Sequence, residues 1–140
     1  MKRKKLLGTK MEQINVLVST YNGEKYIEEQ LKSIDCQTYS NVHVYVRDDG
    51  STDHTVELVN RYIRENELSD KYTVATGENI GFSKSFHLLM QMADSGEYWA
   101  FCDQDDVWYP NKLSNAVKWM QTPVSYTHLR AHETEADLVC

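Results

Sequence analysis

An α/β fold, with a mainly parallel sheet and helices on both faces, is predicted by three features of the sequence. Short β-branched or aromatic runs alternate with amphipathic stretches in the order β-α-β-α-β-α-β-α, which implies parallel strands joined by right-handed crossovers. A length of 140 residues suits one domain, able to bury roughly two thirds of its unfolded surface. A composition of 41% hydrophobic and 26% charged residues with two prolines excludes disordered, collagen-like and linker classes.

Residues 14–19 (INVLVS) form a β-branched run closed by Tyr21, Asn22 and Gly23, which predicts a buried strand. A helix follows with Ile27, Leu31 and Ile34 on one face. Glu24, Glu28 and Glu29 crowd its start, where the helix dipole favours negative charge. Residues 42–46 predict the second strand, and Asp53 the N-cap of a helix turning Val56, Val59 and Ile63 inward. A third strand is expected over 72–75, then a helix with the stripe Phe82, Phe86, Leu89 and Ala93. Residues 98–102 (YWAFC) are apolar throughout, as a strand covered on both faces would be, with Trp99 in the core. Pro110 is expected to open the last helix, with Leu113, Ala116, Val117 and Met120 on one side.

Fifteen Lys and Arg against 21 Asp and Glu give a net charge of -6, which argues against a nucleic-acid binder. Cys36, Cys102 and Cys140 lack metal-ligand spacing and make a poor disulfide framework. A reducing, cytoplasmic setting is therefore expected, with Cys36 and Cys102 as small apolar fillers. Residues 1–11 read as a basic tail. Lys2, Arg3, Lys4, Lys5 and Lys10 allow weak peripheral contact with anionic lipid, a solvated tail is the preferred reading, and Met11 offers a second start. No apolar region follows to complete a secretion signal, and no apolar run is long enough to span a membrane. Residues 124–140, beginning VSYTHLRAHET, resemble a translated transposase-type sequencing adapter. The segment 123–140 is set aside as a non-native tail, and His128, His132 and Cys140 receive no chemical role. Residues 12–122 remain as the folded portion, read as incomplete.

In open α/β sheets, ligands bind beyond the carboxyl ends of the strands. Four such ends carry polar clusters: Thr20-Tyr21-Asn22, Asp48-Asp49-Gly50-Ser51, Asn79 with Gly81, and Asp103-Gln104-Asp105-Asp106. One cluster alone is ordinary turn chemistry; four at one edge favour a binding site. Neither GxGxxG nor GxxxxGK[ST] occurs, so the usual dinucleotide and P-loop cradles are excluded. Clustered aspartates repel a bare phosphate and suit a hard divalent cation, Mn²⁺ or Mg²⁺, bridging carboxylate to diphosphate. Asp49 is a candidate for base selection, because a carboxylate accepts the imide N–H of uracil or thymine and meets only a lone pair in cytosine. Turn capping by Asp48 and Asp49 is the alternative.

These residues carry a resemblance. Residues 14–23 (INVLVSTYNG), 46–55 (VRDDGSTDHT), 78–82 (ENIGF) and 101–113 (FCDQDDVWYPNKL) resemble, in order and spacing, the nucleotide-binding half of a family 2 glycosyltransferase with the Rossmann-like GT-A fold. The DQDD-W-PNK variant is similar to rhamnosyltransferases of bacterial cell-wall polysaccharide synthesis. The resemblance implies an N-terminal, nucleotide-sugar-binding fragment with Thr20, Tyr21 and Asn22 around the nucleoside and Asp49 on the pyrimidine. It implies Asp105 as a direct metal ligand in a DxD motif, with Asp103 facing the ribose or the metal's water shell. The implied reaction is inverting transfer from dTDP-rhamnose, or alternatively a UDP-hexose, to a glycan or lipid-linked glycan at the cytoplasmic face of a bacterial membrane. The general base is expected outside this sequence, in the second half of the domain.

Other residues have plainer readings. Asp106 either joins the site or caps the turn before Trp108; Lys84 is read as solvated, with a phosphate contact less favoured; His87 is read as a partly exposed structural histidine. Trp108 and Tyr109 are expected to pack against the last helix rather than form a sugar platform. Asp103 to Val107 also satisfies the DxDx[TV] pattern of haloacid-dehalogenase-like phosphatases. Their nucleophile, however, lies on the first strand, not after the fourth. A non-catalytic nucleotide-binding α/β module is the remaining alternative.

Overall fold

The computed structural model describes residues 11–93 and 95–122; the basic tail up to residue 10 and the adapter-like segment 123–140 lie outside the described residues. Eight elements follow in the predicted alternation: β1 (Ile14–Thr20), α1 (Ile27–Asp35), β2 (Val42–Asp48), α2 (Thr55–Glu65), β3 (Tyr72–Thr76), α3 (Phe82–Met92), β4 (Tyr98–Cys102) and α4 (Lys112–Gln121). The strands pair in parallel, in the order β3-β2-β1-β4. The chain moves outward from β1 through β2 to β3, then returns to the far side of β1 for β4. This reversal opens a crevice at the carboxyl ends of β1 and β4, the position where open α/β sheets take ligands.

Side chains alternate across the sheet and divide the core. Ile14, Val16 and Val18 of β1 join Val44 and Val46 of β2, Leu31 and Ile34 of α1, Val59 of α2 and Leu113 and Val117 of α4 in the larger cluster. Leu17 belongs to the smaller one, covered by Leu89 and Ala93 with Phe86 at its margin. Helices thus cover both faces, unequally: the first cluster holds most of the buried residues, each fully buried Leu or Ile contributing about 1.5–3 kcal/mol.

Several expectations are corrected. Phe82 is 73% exposed, because it is the first residue of α3 and lies at the carboxyl edge, beyond the turns that pack on β1. Trp99 and Phe101 are 43% and 52% exposed rather than core residues. β4 is an edge strand of the described sheet, and α3 packs chiefly on β1 and β2. Trp99 Nε1 still donates to Ala93 O at 2.6 Å, and Phe101 meets Phe86 with ring centroids 5.3 Å apart. Met120 is exposed. Pro110 precedes α4 instead of opening it, and its carbonyl accepts the Thr38 N–H at 2.8 Å. Asp53 caps α2 from one position earlier than the regular boundary, accepting the Thr55 N–H at 2.9 Å.

Candidate functional site

The loop after β1 is tied to both neighbouring loops. The Tyr21 N–H donates to Gln104 Oε1 at 3.1 Å. Asn22, at φ 48, donates its N–H to Ser51 Oγ at 2.7 Å and accepts the Thr52 N–H on Oδ1 at 2.8 Å. Asparagine tolerates this left-handed backbone better than most residues. Thr20 is 1% exposed and its Oγ1 lacks a partner among the described residues; it lies beneath the loop, whereas Tyr21 is exposed at the crevice.

The two aspartates that follow Arg47 face inward. Asp48 accepts the Ser51 N–H at 2.8 Å and the Ser51 hydroxyl at 2.6 Å, an Asx-type turn. Asp49 is 3% exposed. Its Oδ1 accepts Arg47 Nη1 at 2.7 Å and the Ile80 N–H at 2.9 Å, and its Oδ2 accepts the Gly81 N–H at 3.0 Å. Burial alone would raise the Asp49 pKa; the hydrogen bonds from Ile80, Arg47 and Gly81 outweigh it and hold the carboxyl below its ordinary range. Asp49 is therefore a strut that fastens the entry to α3. A carboxylate has about four lone-pair sites, so Oδ2 keeps one for a further donor.

Arg47 was not predicted from the sequence. It is 5% exposed and donates also to Ser85 Oγ and Glu78 O, each at 3.2 Å. Ser19 Oγ donates to Ser85 Oγ at 2.8 Å, extending the network across β1, β2 and α3. The only available signal was strand alternation, which puts Arg47 opposite Ser19.

The turn after β4 presents its acidic side chains to solvent. The Asp106 N–H donates to Asp103 O at 3.1 Å, closing a four-residue turn, and Asp105 has φ 75. Glycine or asparagine ordinarily supplies a positive φ at the third turn position; an aspartate held there costs on the order of 1–3 kcal/mol. Burial, then the charge of Asp103, holds the Asp106 carboxyl above its ordinary pKa, with Lys112 pulling the other way. Burial pushes the Cys102 thiol beneath the turn up to about 12. Asp106 does not cap the approach to Trp108: the Trp108 N–H donates to Ser33 Oγ at 3.0 Å. Trp108 is buried, as expected, with Lys112 Nζ 5.4 Å from its ring centroid. Lys84 and His87 are exposed on α3.

Among the described residues no three His, Cys, Asp or Glu side chains stand together as a cation cage. Asp103 and Asp105 fit a cation of a different kind, one bound through one or two carboxylates and completed by diphosphate oxygens and water, as Mg²⁺ often is. The Asp106 carboxyl is raised first by burial and only second by the charge of Asp103, and a cation would offset the second alone. The Tyr21 N–H thus meets Gln104 Oε1, between the exposed Asp103 and Asp105, while Thr20 and Asp49 are buried and Asn22 is engaged with the loop after β2.

A parallel sheet with this reversal, a polar loop after its first strand and an acidic turn after the strand beyond it define a Rossmann-like α/β domain. The profile of Glycosyl transferase family 2 matches residues 15–137, and the chain belongs to that family. It is 35% identical over 102 residues to the dTDP-rhamnosyl transferase RfbG of Shigella flexneri, covering 71% of this chain and 35% of that protein. The glucosyltransferase WfaP of Escherichia coli, which carries UDP-Glc and GlcNAc-diphosphoundecaprenol in its name, is 28% identical over 131 residues, 92% of this chain and 49% of its own. Among solved structures, the mannosyltransferase PcManGT of Pyrobaculum calidifontis, in complex with GDP-Man and Mn²⁺, superposes with a TM-score of 0.72 at 32% identity, over 82% of this chain and 34% of that one. TarS of S. aureus with UDP-GlcNAc gives 0.67 at 34% identity, over 77% and 31%. The chain spans about a third of the length of the first curated relatives it matches. Family membership removes the phosphatase reading of Asp103.

Proposed function

We propose that this chain is the donor-binding part of an inverting glycosyltransferase that binds a metal-complexed nucleotide-diphosphate sugar, with dTDP-rhamnose as donor and a lipid-linked or surface glycan as acceptor. The observation that carries the reading is the bond from the Tyr21 N–H to Gln104 Oε1, which ties the loop after β1 to the exposed acidic turn after β4 at the switch point of the sheet. Asp105, with Asp103, would hold Mn²⁺ or Mg²⁺, whose chemistry there is charge neutralisation of the leaving diphosphate. Of the proposed nucleoside loop, Tyr21 would line the nucleoside, buried Thr20 and the Ser51- and Thr52-bonded Asn22 would hold the loop's backbone, and Asp49 would accept the pyrimidine imide N–H on the free lone pair of Oδ2. The general base lies outside residues 12–122. The rhamnose donor is supported by the likeness to RfbG, and the acceptor class by the likeness to WfaP. The setting proposed is the cytoplasmic face of a bacterial plasma membrane, reached peripherally; among the described residues no helix is long and apolar enough to cross a membrane.

Calorimetric titration with dTDP-rhamnose, UDP-glucose, UDP-N-acetylglucosamine and GDP-mannose, with Mn²⁺ and with EDTA, tests this reading. Metal-dependent binding, strongest for dTDP-rhamnose and lost in Asp105→Ala, is expected. Preference for GDP-mannose would sink the base assignment to Asp49, and equal affinities with and without metal would sink the role of Asp105.

A further inference from the structure

We infer that Gln30 of α1, which no sequence pattern marks, is the positioning residue for the acidic turn after β4. Gln30 is 1% exposed; its Nε2 donates to Asp103 O at 2.6 Å and lies 3.2 Å from Cys102 Sγ. Glutamine is seldom fully buried, because an amide buried without partners costs on the order of 1–3 kcal/mol. Here the donor is aimed at the carbonyl that opens the turn. The same carbonyl accepts the Asp106 N–H at 3.1 Å, so the Asp103–Gln104 peptide cannot rotate without breaking both bonds. That peptide sets the direction from which the chain enters the left-handed Asp105.

Gln30 belongs to a buried polar stripe. Ser33 Oγ accepts the Trp108 N–H at 3.0 Å. Gln37, just past the end of α1, donates Nε2 to Tyr109 O at 2.6 Å and accepts the Leu113 N–H on Oε1 at 2.9 Å. Spacings of three and four residues put Gln30, Ser33 and Gln37 along one face, and each grips the backbone of the segment after β4 at a different point. Ile27, Leu31 and Ile34 are buried and anchor the helix that carries the stripe. Of these contacts only that of Gln30 falls on the acidic turn. An amide one shell behind a metal ligand fixes its geometry, and losing such a partner typically weakens metal binding about 10–100-fold.

The inference rests on the proposed metal role of Asp105 and Asp103, and the test separates the two. In ¹⁵N NMR spectra of the 140-residue chain with saturating UDP, added MnCl₂ is expected to broaden the amide signals of residues 103–106 by paramagnetic relaxation. In Gln30→Met, which keeps the shape and removes the donor, the Mn²⁺ midpoint should rise about 10-fold or more. Gln37→Met loses a comparable buried amide away from the turn. It should lower thermal stability and leave the midpoint at the wild-type value. Should Gln30→Met not fold, Gln30→Asn, whose amide falls one methylene short of Asp103 O, carries the same expectation. A folded Gln30 variant with the wild-type midpoint, or Gln37→Met raising the midpoint equally, overturns the inference and leaves the metal reading standing. No Mn²⁺ broadening at the wild-type turn overturns both.

Discussion

Replacing Arg47 by methionine tests whether the ion pair beneath the crevice is as buried as its geometry implies. The Arg47 and Asp49 side chains are 7% and 4% exposed and 2.7 Å apart. Methionine would remove the donors to Asp49, Ser85 and Glu78 and leave a buried carboxylate with two backbone N–H partners and no countercharge. Breaking one half of such a pair costs about 3–5 kcal/mol, a large share of the roughly 5–15 kcal/mol that holds a domain together. With a urea dependence of about 1–3 kcal/mol per molar, the unfolding midpoint should fall by at least about 1 M. The sign with pH follows from the depressed Asp49 pKa. Its contribution is present above the unfolded value, about 3.9, and is lost as pH falls through the lower folded value. The gap between wild type and variant should therefore be wide at pH 7 and narrow below about pH 4. Arg47→Met combined with Asp49→Asn should regain part of the loss, since a neutral amide needs no countercharge. Urea unfolding followed by circular dichroism reads all of this. An unchanged midpoint for Arg47→Met at pH 7 would refute the reasoning.

Three further outcomes are expected. Gly77→Ala places a Cβ 2.5 Å from Arg47 Nη2 and should cost about 1–3 kcal/mol in the same urea assay; a neutral substitution would mean the guanidinium is free to move. His54 Nδ1 donates to Glu24 Oε1 at 3.1 Å, and that bond, then the charge of Glu57, raises its pKa. Proton NMR should show His54 titrating above the ordinary imidazole value and falling back in Glu24→Gln. The small stabilisation is present below that ordinary value and lost as pH rises through the folded one. The exposed rings of Trp99 and Phe101 form an apolar surface at the β4 edge that should bind 8-anilinonaphthalene-1-sulfonate. Phe101→Thr should dim the dye, and unchanged fluorescence would assign the signal elsewhere.

The alternation of elements was legible because burial imposes different periods on strands and helices. Ile27, Leu31 and Ile34 fall on the core side as their spacing requires. The same logic failed at β4. Residues 98–102 are apolar on both faces, yet Trp99 and Phe101 are exposed, because periodicity records what a side chain is suited to bury against and not whether a covering element is present. Phe82 failed for a different reason: a helical stripe predicts which side a residue faces and says nothing about where the helix overhangs the sheet. Trp108 was read correctly as packing, since its backbone N–H is taken by Ser33 Oγ and its ring is buried.

The site was legible as a set of loop ends and illegible as a network. Turn residues advertise themselves by type, so Thr20 to Asn22, Asp48 to Ser51 and Asp103 to Asp106 could be named. Which carboxylates face solvent depends on partners far away in sequence. Asp49 is occupied by Ile80 and Gly81, while Asp103 and Asp105 are exposed, and nothing in the spacing DDG against DQDD encodes that difference. Strand order decides it: β4 lies beside β1 and not beside β3, which carries the acidic turn across 83 residues of sequence to meet Tyr21 at Gln104 Oε1. The carboxylates near the middle of the sheet are fastened into its framework, and those at the reversal stay open. On the proposed reading, a cation held by the open pair would lie beside the loop proposed to hold the nucleoside, and a single ligand carrying base and diphosphate would engage both.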